Sequence, residues 1–294
     1  MRAAVLAVVA LLVAAPAASA GGGGVRVERG IEYGTAEVSA PAPGRVPLLL
    51  DLYRPPRETP RPWPVVVVIH GGGFTMQSRT DDGIVRIARG LAARGIAAAS
   101  IDYRLLDQQP VAAPRVATVV AAEPLAGPLF TTMATAVDDT LSAFGYLRRH
   151  ARQLHLDIDR MGIVGSSAGA ITANTVAYAL DDLGVRGPAL RFVGSLWGGI
   201  YAAEPPDTAD PAVQLGAGEP ALFAVHGDAD TLEPVEQSDA LVARATAVGV
   251  PVEYHRIPGG EHGYALSRFF TEPVDGGTPF ERLLAFAAQQ LSRG

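Results

Sequence analysis

Short apolar runs and longer amphipathic stretches take turns along most of this chain. The run from Val65 to Ile69 is β-branched throughout, which predicts a strand buried on both faces. Residues 81–95 then carry apolar side chains at helical spacing, and residues 96–104 return to a strand pattern. Strands that alternate with helices predict an α/β fold, a mostly parallel central sheet covered by helices on both faces.

The alternation continues to the end of the chain. The other predicted strands are 47–55, 160–165, 190–197, 221–227 and 251–258, and the other predicted helices are about 135–154, from Ala168 onward, 235–248 and 279–292. Ligands of such sheets bind outside the carboxyl ends of the strands. We therefore expect the chemistry of this chain in the loops that follow its strands.

Two proline-rich segments interrupt the alternation. Residues 105–132 are apolar and almost uncharged, whereas residues 201–220 are acidic. Long segments of this kind are uncommon in compact domains unless they are functional or disordered. Both remain open to two interpretations, a plain surface excursion or a flap over the substrate. We expect the apolar segment to be the better flap, covering the cleft and favouring apolar acyl groups.

The first twenty residues have the order of a secretory signal peptide. Arg2 precedes an apolar stretch, Pro16 breaks it, and Ala18-Ser19-Ala20 forms an A-x-A cleavage site. A membrane anchor is the competing interpretation, but the apolar stretch is shorter than the roughly 20 residues that span a bilayer. We expect cleavage after Ala20, a secreted or periplasmic protein, and no stable membrane insertion afterwards.

Length and composition narrow the function classes. After a leader of residues 1–20, the chain is expected to consist of a partly flexible segment, 21–45, and one catalytic domain, 46–294. The net charge is −6, and loss of the single basic residue of the leader makes it −7. An acidic balance argues against nucleic acid as a partner. Cysteine is absent, which excludes disulfides, thiolate metal sites and cysteine nucleophiles.

Gly165-Ser166-Ser167-Ala168-Gly169 is a G-x-S-x-G pattern between a predicted strand and a predicted helix. A nucleophile elbow requires this context, because a serine at a strained strand-to-helix corner leaves no room for side chains two positions away. Only Ser167 has a glycine two positions away on each side, so Ser166 is not the candidate nucleophile. So short a pattern also arises by chance, and it needs support from other residues.

His70-Gly71-Gly72-Gly73 follows the buried strand and offers that support. An oxyanion hole needs backbone N–H groups close to an incoming carbonyl, and glycine lets them approach without a Cβ in the way. We expect Gly72 and Gly73 to supply two donors and Ala168, at the start of the next helix, to supply another. The alternative is a glycine-rich turn without a chemical role.

A serine nucleophile needs a base, and the base needs a carboxylate to orient it. Asp228 and Asp230 lie in the loop after one predicted strand, and His262 lies in the loop after the next. The chain order is therefore Ser, Asp, His, with either aspartate as the acid. His226 lies within a strand, where a satisfied structural role is expected. No histidine or acidic residues have metal-ligand spacing, and no cofactor is required.

From about Val46 to Ser292 the chain resembles the α/β-hydrolase superfamily, most closely bacterial carboxylesterases of the hormone-sensitive-lipase-like and feruloyl-esterase-like groups. The motifs that carry this resemblance are "LDLYRP" (50–55), "HGGGF" (70–74), "DYRL" (102–105), "GSSAG" (165–169), "HGDAD" (226–230) and "GGEHGY" (259–264). In those groups the acid is the last residue of the H-G-x-x-D pattern. The resemblance thus implies Asp230 as the acid and leaves Asp228 as a turn-former or hydrogen-bond partner.

The sequence therefore predicts a secreted serine esterase that acts through Ser167, His262 and Asp230 and an acyl-enzyme intermediate. Its substrate is a small-molecule or polymer-linked ester, and a depolymerising esterase of acylated polysaccharide or polyester is the alternative within that class. A non-catalytic binding protein on the same fold is the alternative from another class. Nothing in the sequence specifies an oligomeric state.

Overall fold

The computed structural model describes residues 24–122, 127–180, 184–200, 211–264 and 266–292. The predicted signal peptide and the first half of the acidic proline-rich segment, 201–210, lie outside the described residues.

Eight strands of the described residues form one sheet, in the order β1-β2-β4-β3-β5-β6-β7-β8. Their bounds are β1 Arg26–Val38, β2 Gly44–Arg54, β3 Trp63–Ile69, β4 Ala97–Ile101, β5 Leu156–Ser166, β6 Leu190–Leu196, β7 Ala221–Gly227 and β8 Val252–Ile257. Strand β2 pairs antiparallel with β1 and β4, and every other pairing is parallel. The predicted mostly parallel sheet is confirmed.

Helices cover both faces of this sheet, as predicted. Their bounds are α1 Asp82–Ala93, α2 Pro114–Ala122, α3 Gly127–Arg149, α4 Ala151–Leu154, α5 Ala168–Tyr178, α6 Pro211–Gln214, α7 Val235–Ala247, α8 Leu266–Thr271 and α9 Pro279–Ser292. Within the described ranges, no helix combines the length and the apolar character that a membrane span requires.

Strand β3 shows why the sheet needs two covering layers. Its residues from Val65 to Ile69 are fully buried, as the β-branched run predicted. Val65, Val67 and Ile69 join a core with α3, α5 and α7, whereas Val66 and Val68 join a second core with α1, α8 and α9. Successive side chains of a strand point to opposite faces, so one strand supplies both cores.

The structure differs from the expected domain layout at the N-terminus. Residues 21–45 were expected to be partly flexible, but residues 26–38 form strand β1 along the whole of β2. The pairing register shifts between Glu28 and Ile31 and again between Glu32 and Gly34. Bulges of this kind break the two-residue alternation by which a strand is identified in a sequence.

The apolar segment 105–132 is largely helical in its described part. Helix α2 lies within it, and α3 begins at Gly127, eight residues before the predicted start at 135. The predicted helix 135–154 is also divided, because α3 ends at Arg149 and the short α4 follows. In the described part of the acidic segment, residues 211–220, the single turn of α6 is the only helix or strand.

Candidate active site

The structure places Ser167 at the corner between β5 and α5. Its φ and ψ angles are 52° and −123°, a conformation that side-chain-bearing residues rarely adopt. A Cβ at Gly165 would lie 2.0 Å from the carbonyl oxygen of Gly169, and a Cβ at Gly169 would lie 2.4 Å from that of Ile69. The two glycines are therefore required by packing around the elbow, as the G-x-S-x-G pattern predicted.

Ser167 and the two other predicted triad members are joined by hydrogen bonds. Ser167 Oγ lies 2.9 Å from His262 Nε2, and His262 Nδ1 lies 2.7 Å from Asp230 Oδ2. Since a carboxylate only accepts, Nδ1 carries the proton toward Asp230 and Nε2 is left to accept from the serine hydroxyl. This is the tautomer that a general base for Ser167 needs.

The Asp230 carboxylate is buried and accepts hydrogen bonds at both oxygens. Oδ1 accepts from the backbone N–H groups of Leu232 and Glu233, both at 2.9 Å, and Oδ2 accepts from His262 and, at 3.2 Å, from His226 Nε2. Burial opposes ionisation, but the hydrogen bonds from Glu233, His262 and Leu232 outweigh it and hold the pKa of Asp230 below its usual range. Asp230 is thus fixed as a charged partner for His262.

Asp228 has a different place in the structure. It is exposed, and its Oδ1 accepts a hydrogen bond of 2.6 Å from the backbone N–H of Gly259 in the loop after β8. A Cβ at Gly227 would lie 2.1 Å from the carbonyl oxygen of Gly260, so the loops after β7 and β8 touch backbone to backbone. Asp228 therefore joins the loop after β7 to the loop after β8, whereas Asp230 makes the contact with His262.

His226 contributes to the site in a way that its sequence position did not reveal. It is fully buried, and Nε2 lies 2.9 Å from the carbonyl oxygen of Glu233 as well as close to Asp230. Nδ1 lies 2.7 Å from Ser238 Oγ. Both neighbours of Nε2 are acceptors, so Nε2 is the protonated nitrogen and Ser238 donates to Nδ1. Burial lowers the pKa of His226 and keeps the ring neutral.

The glycines expected in the oxyanion hole form a loop that packs against the nucleophile. A Cβ at Gly71 would lie 3.1 Å from Ser167 Cβ, and a Cβ at Gly72 would lie 2.2 Å from the carbonyl oxygen of Met76. Gly72 and Gly73 have φ angles of 90° and 59°, in the region that favours glycine. Ala168 is the first residue of α5, where the N–H groups have no acceptor within the helix.

The D-Y-R residues after β4 brace this loop. The Tyr103 hydroxyl lies 2.9 Å from the carbonyl oxygen of Gly71, and its ring stacks on His70 with centroids 4.3 Å apart. Burial raises the pKa of Tyr103, so its hydroxyl stays protonated as a donor. Asp102 pairs with Arg79, and the buried Arg104 pairs with Asp139 of α3 at 2.8 Å. Of this motif, one of the six that carried the resemblance, Tyr103 contacts the glycine loop directly, and its two charged neighbours form ion pairs beside it.

Ser167 opens into a cleft of about 680 Å³ at the carboxyl edge of the sheet. The described residues that line it are Gly71, Gly72, Gly73, Thr75, Met76, Gln77, Asp81, Gly83, Ile84, Ile87, Ser166, Ser167, Trp197, Leu232, Glu233, His262 and Gly263. Burial raises the pKa of Glu233, and the neighbouring His262 partly opposes that rise. Among the described residues, no three histidine, aspartate or glutamate side chains are grouped as a metal site.

The apolar segment expected to cover this cleft does not line it in its described part. Val116 and Val119 of α2 and Phe130 of α3 instead line a separate apolar pocket of about 60 Å³, closed by Ile171 of α5. Phe74, which directly follows the glycine loop, also lines that pocket. The segment therefore packs beside the glycine loop, on the side of α5.

Comparisons with known proteins find esterases among the proteins that are similar to this chain. The BD-FAE family model matches residues 50–119. Esterase LipI of Mycobacterium tuberculosis is 28% identical over 238 residues, which cover 68% of this chain and 65% of LipI, slightly less than two thirds of its length. Ethyl acetate hydrolase of Pseudomonas putida is 26% identical over 266 residues, which cover 78% of this chain and 75% of that enzyme.

A solved structure extends the similarity to the whole fold. Thermogutta terrifontis esterase 2, phosphonylated by cyclosarin, superposes with a TM-score of 0.67 at 22% sequence identity. The superposition covers 92% of this chain and 94% of that esterase. At this level of identity the likeness shows a common fold.

Proposed function

We propose, from the premise that this chain is an α/β hydrolase similar to bacterial carboxylesterases, that it is a serine hydrolase which cleaves carboxylic esters. The enzyme class is supported by the esterases among its relatives. The observation that carries the proposal is the hydrogen-bonded series from Ser167 Oγ through His262 to the buried Asp230. A non-catalytic binding protein would not need this series.

Acylation follows from the protonation states of the three residues. Ser167 Oγ attacks the ester carbonyl while His262 Nε2 takes the hydroxyl proton, and Asp230 stabilises the imidazolium that forms. The carbonyl oxygen becomes an oxyanion that accepts from the backbone N–H groups of Gly72, Gly73 and Ala168. His262 then donates its proton to the leaving alcohol, the C–O bond breaks, and the acyl group remains on Ser167.

Deacylation repeats these steps with water as the nucleophile. His262 takes a proton from the water, which attacks the acyl carbonyl, and the oxyanion again lies against the glycine loop. Collapse of the intermediate breaks the bond to Ser167 Oγ, and His262 returns the proton to that oxygen. The carboxylic acid leaves and the free enzyme is restored.

Covalent labelling together with turnover tests this proposal. A fluorophosphonate reacts with an activated serine, and intact-mass analysis should show one adduct on the chain that begins at Gly21. The same protein should hydrolyse p-nitrophenyl esters, and Ser167→Ala should lower turnover by a factor on the order of 10⁶. The ratio of acetate to octanoate hydrolysis then measures acyl preference.

Ser166→Ala is the matched control, because Ser166 precedes the nucleophile directly yet makes no hydrogen bond to His262 among the described contacts. It should retain labelling by the fluorophosphonate. Labelling of Ser167→Ala, or full activity of that variant, would refute the proposed mechanism. A protein that is neither labelled nor active would support the binding-protein alternative. Release of acetate from acetylated xylan would support the polymer-linked substrate.

We also propose that the protein is exported and cleaved after Ala20. The proposal rests on the order of the basic, apolar and small residues in positions 1–20. Expression of the full chain in a bacterial host should yield an extracytoplasmic protein with Gly21 at its N-terminus, as read by mass spectrometry. A cell-associated product that keeps residues 1–20 would overturn this proposal.

A further inference from the structure

The cleft beside Ser167 contains fixed charge of one sign. Its lining includes the carboxyl groups of Asp81 and Glu233, and no arginine is among the described residues that line it. The chain has no lysine at all. The only other titratable side chain in the described lining is the proposed base, His262. A substrate in this cleft therefore meets a negative potential, which low-dielectric walls strengthen.

Glu233 is held in place by the hydrogen bonds that also orient Asp230. Its backbone N–H donates to Asp230 Oδ1, and its carbonyl oxygen accepts from His226 Nε2, both at 2.9 Å. A Cβ at Gly199 would lie 2.5 Å from Glu233 Oε2, so the carboxyl group packs against the backbone there. These hydrogen bonds fix the backbone of Glu233, and the backbone at Gly199 limits where its carboxyl group can lie.

Asp81 faces the cleft from the start of α1. It occupies the N-cap position, but its side chain makes no capping hydrogen bond. Its Oδ2 is buried and has no hydrogen-bond partner among the described residues. A buried carboxylate oxygen without a partner is costly unless a donor or a cation from a ligand satisfies it.

Trp197 also lines the cleft, but it is only 3% exposed, and its ring packs against Phe269 with centroids 5.4 Å apart. It directly follows β6 and has a φ angle of 40°, a left-handed conformation that is strained for tryptophan. An aromatic ring attracts an ammonium group, and a carboxylate attracts any cation. The fixed negative charge of the cleft is therefore the main feature that favours a cationic ligand.

We propose that the cleft prefers esters whose alcohol part carries a positively charged ammonium group, and that Glu233 and Asp81 confer this preference. The proposal rests on the proposed esterase function. His262 must reach the alcohol oxygen to protonate it, and Glu233 lines the cleft together with His262. The leaving alcohol therefore lies on the side of the Glu233 carboxylate, and Asp81 adds to the negative potential of the same cleft, where a cation is attracted and an anion is repelled.

A matched pair of thioester substrates, which differ in charge but hardly in size or shape, tests this preference. Acetylthiocholine carries a trimethylammonium group, and 3,3-dimethylbutyl thioacetate carries the neutral tert-butyl group in its place. A disulfide reagent reports the released thiol, and the protein contains no cysteine that would react with it. At pH 8 and low ionic strength, we expect kcat/KM to be roughly tenfold higher for the cationic ester. Added salt at 0.5 M should reduce this ratio.

Two variants test whether Glu233 and Asp81 cause the preference for the cationic substrate. Glu233→Gln and Asp81→Asn should each lower the ratio of cationic to neutral kcat/KM by roughly threefold, because each removes one charge at nearly constant volume. Glu58→Gln removes an exposed carboxylate that precedes β3, at the sheet edge opposite the cleft, and should leave the ratio unchanged. Thermal unfolding followed by circular dichroism confirms that each variant is folded, and either cleft variant alone suffices for the test.

The outcomes separate this inference from the proposed function. A ratio near one, or a ratio that neither cleft variant lowers, overturns the charge preference while neutral thioester hydrolysis leaves the esterase proposal standing. If neither thioester is hydrolysed and the fluorophosphonate does not label Ser167, both proposals fail. A ratio that falls with salt and in at least one cleft variant, but not in Glu58→Gln, supports the charge preference and assigns it to the residue whose replacement lowers the ratio.

Discussion

At the scale of single residues, the site depends on how completely the Asp230 carboxylate is hydrogen-bonded. Two backbone N–H groups hold one oxygen, and two imidazole N–H groups hold the other. A carboxylate held in this way cannot rotate without losing several hydrogen bonds to its charged form. The orientation of His262, and with it the lone pair that faces Ser167, follows from this arrangement.

Replacement of each aspartate by asparagine tests which one acts. Asp230→Asn should lower kcat by a factor on the order of 10⁴, because the amide can donate to His262 and favour the wrong tautomer. Asp228→Asn keeps the oxygen that accepts from Gly259 and should change kcat by no more than a few fold. Steady-state hydrolysis of p-nitrophenyl acetate by both purified variants measures the difference. The reverse order of the two effects would assign the acid to Asp228.

His226 predicts a pH dependence of stability. Burial lowers its pKa in the folded protein, whereas in the unfolded chain the imidazole titrates near pH 6.5. The resulting stabilisation is present above about pH 6.5 and is lost as the pH falls toward the folded pKa. Between pH 7 and pH 5 this residue should account for a loss of up to about 2 kcal/mol in the free energy of unfolding.

Urea unfolding at the two pH values measures that loss in the wild type and in His226→Gln. The amide keeps a donor near the position of Nε2 but does not titrate, so the variant should lose less stability on acidification. His70 is also buried with a lowered pKa and provides a second titrating group that remains in the variant. Equal losses in the two proteins would contradict the role assigned to His226.

At the scale of elements, the elbow between β5 and α5 depends on backbone contacts that only glycine permits. Gly169→Ala would push a methyl group against the carbonyl oxygens of Ile69 and His70, directly before the glycine loop. We expect the free energy of unfolding to fall by about 1–3 kcal/mol. We also expect kcat to fall by a factor on the order of 10², since small displacements of catalytic groups are costly.

Gly44→Ala is the control for that prediction. Gly44 begins β2, has no neighbouring atom within 4 Å of a Cβ placed on it, and does not have a positive φ. Its replacement should change the free energy of unfolding by no more than about 0.5 kcal/mol. Chemical denaturation gives the stabilities, and ester hydrolysis gives the activities. Equal effects of both substitutions would show that contact at the elbow is not the cause.

The elements that could be predicted from the sequence are those whose pattern is local. Strand β3 is β-branched without interruption, and α9 has the bounds that its amphipathic pattern predicted, Pro279–Ser292. Strand β1 could not be predicted, because bulges interrupt its alternation and its stability comes from pairing with β2. Helix α2 was not predicted for a different reason: it begins at Pro114 within a proline-rich segment, and proline-rich sequence is usually interpreted as a loop.

In the site, too, some residues can be predicted from local sequence motifs, whereas others depend on contacts that form only in the folded chain. Ser167, Asp230 and His262 could be proposed from the sequence because each lies in a motif at the end of a predicted strand, and the structure brings the three side chains within hydrogen-bond distance. The contributions of His226 and Glu233 could not, because they depend on hydrogen bonds that exist only once the loop after β7 has folded around Asp230.

At the scale of the whole molecule, the residues proposed to act on the substrate and the residues of α9 that stabilise the fold lie in different parts of the structure. The proposed catalytic residues lie in loops at the carboxyl edge of the sheet, and the cleft also touches α1 through Ile84 and Ile87. Helix α9 lines no part of the described cleft, yet its apolar face completes the second core. A Cβ at Gly90 of α1 would lie 2.8 Å from Leu284 Cδ1, so the last helix packs closely on the first.

Leu284→Ala separates the two properties. Leu284 is fully buried, and its truncation should lower the free energy of unfolding by about 2–5 kcal/mol through lost burial and the cavity that remains. The folded variant should keep kcat within a few fold at 25 °C, because the substitution leaves the loops after β5, β7 and β8 in place. Gln289→Ala, on the exposed side of the same helix, should change stability by no more than about 0.5 kcal/mol. A large loss of kcat in a fully folded Leu284→Ala protein would instead mean that packing of α9 is transmitted through α1 to the cleft.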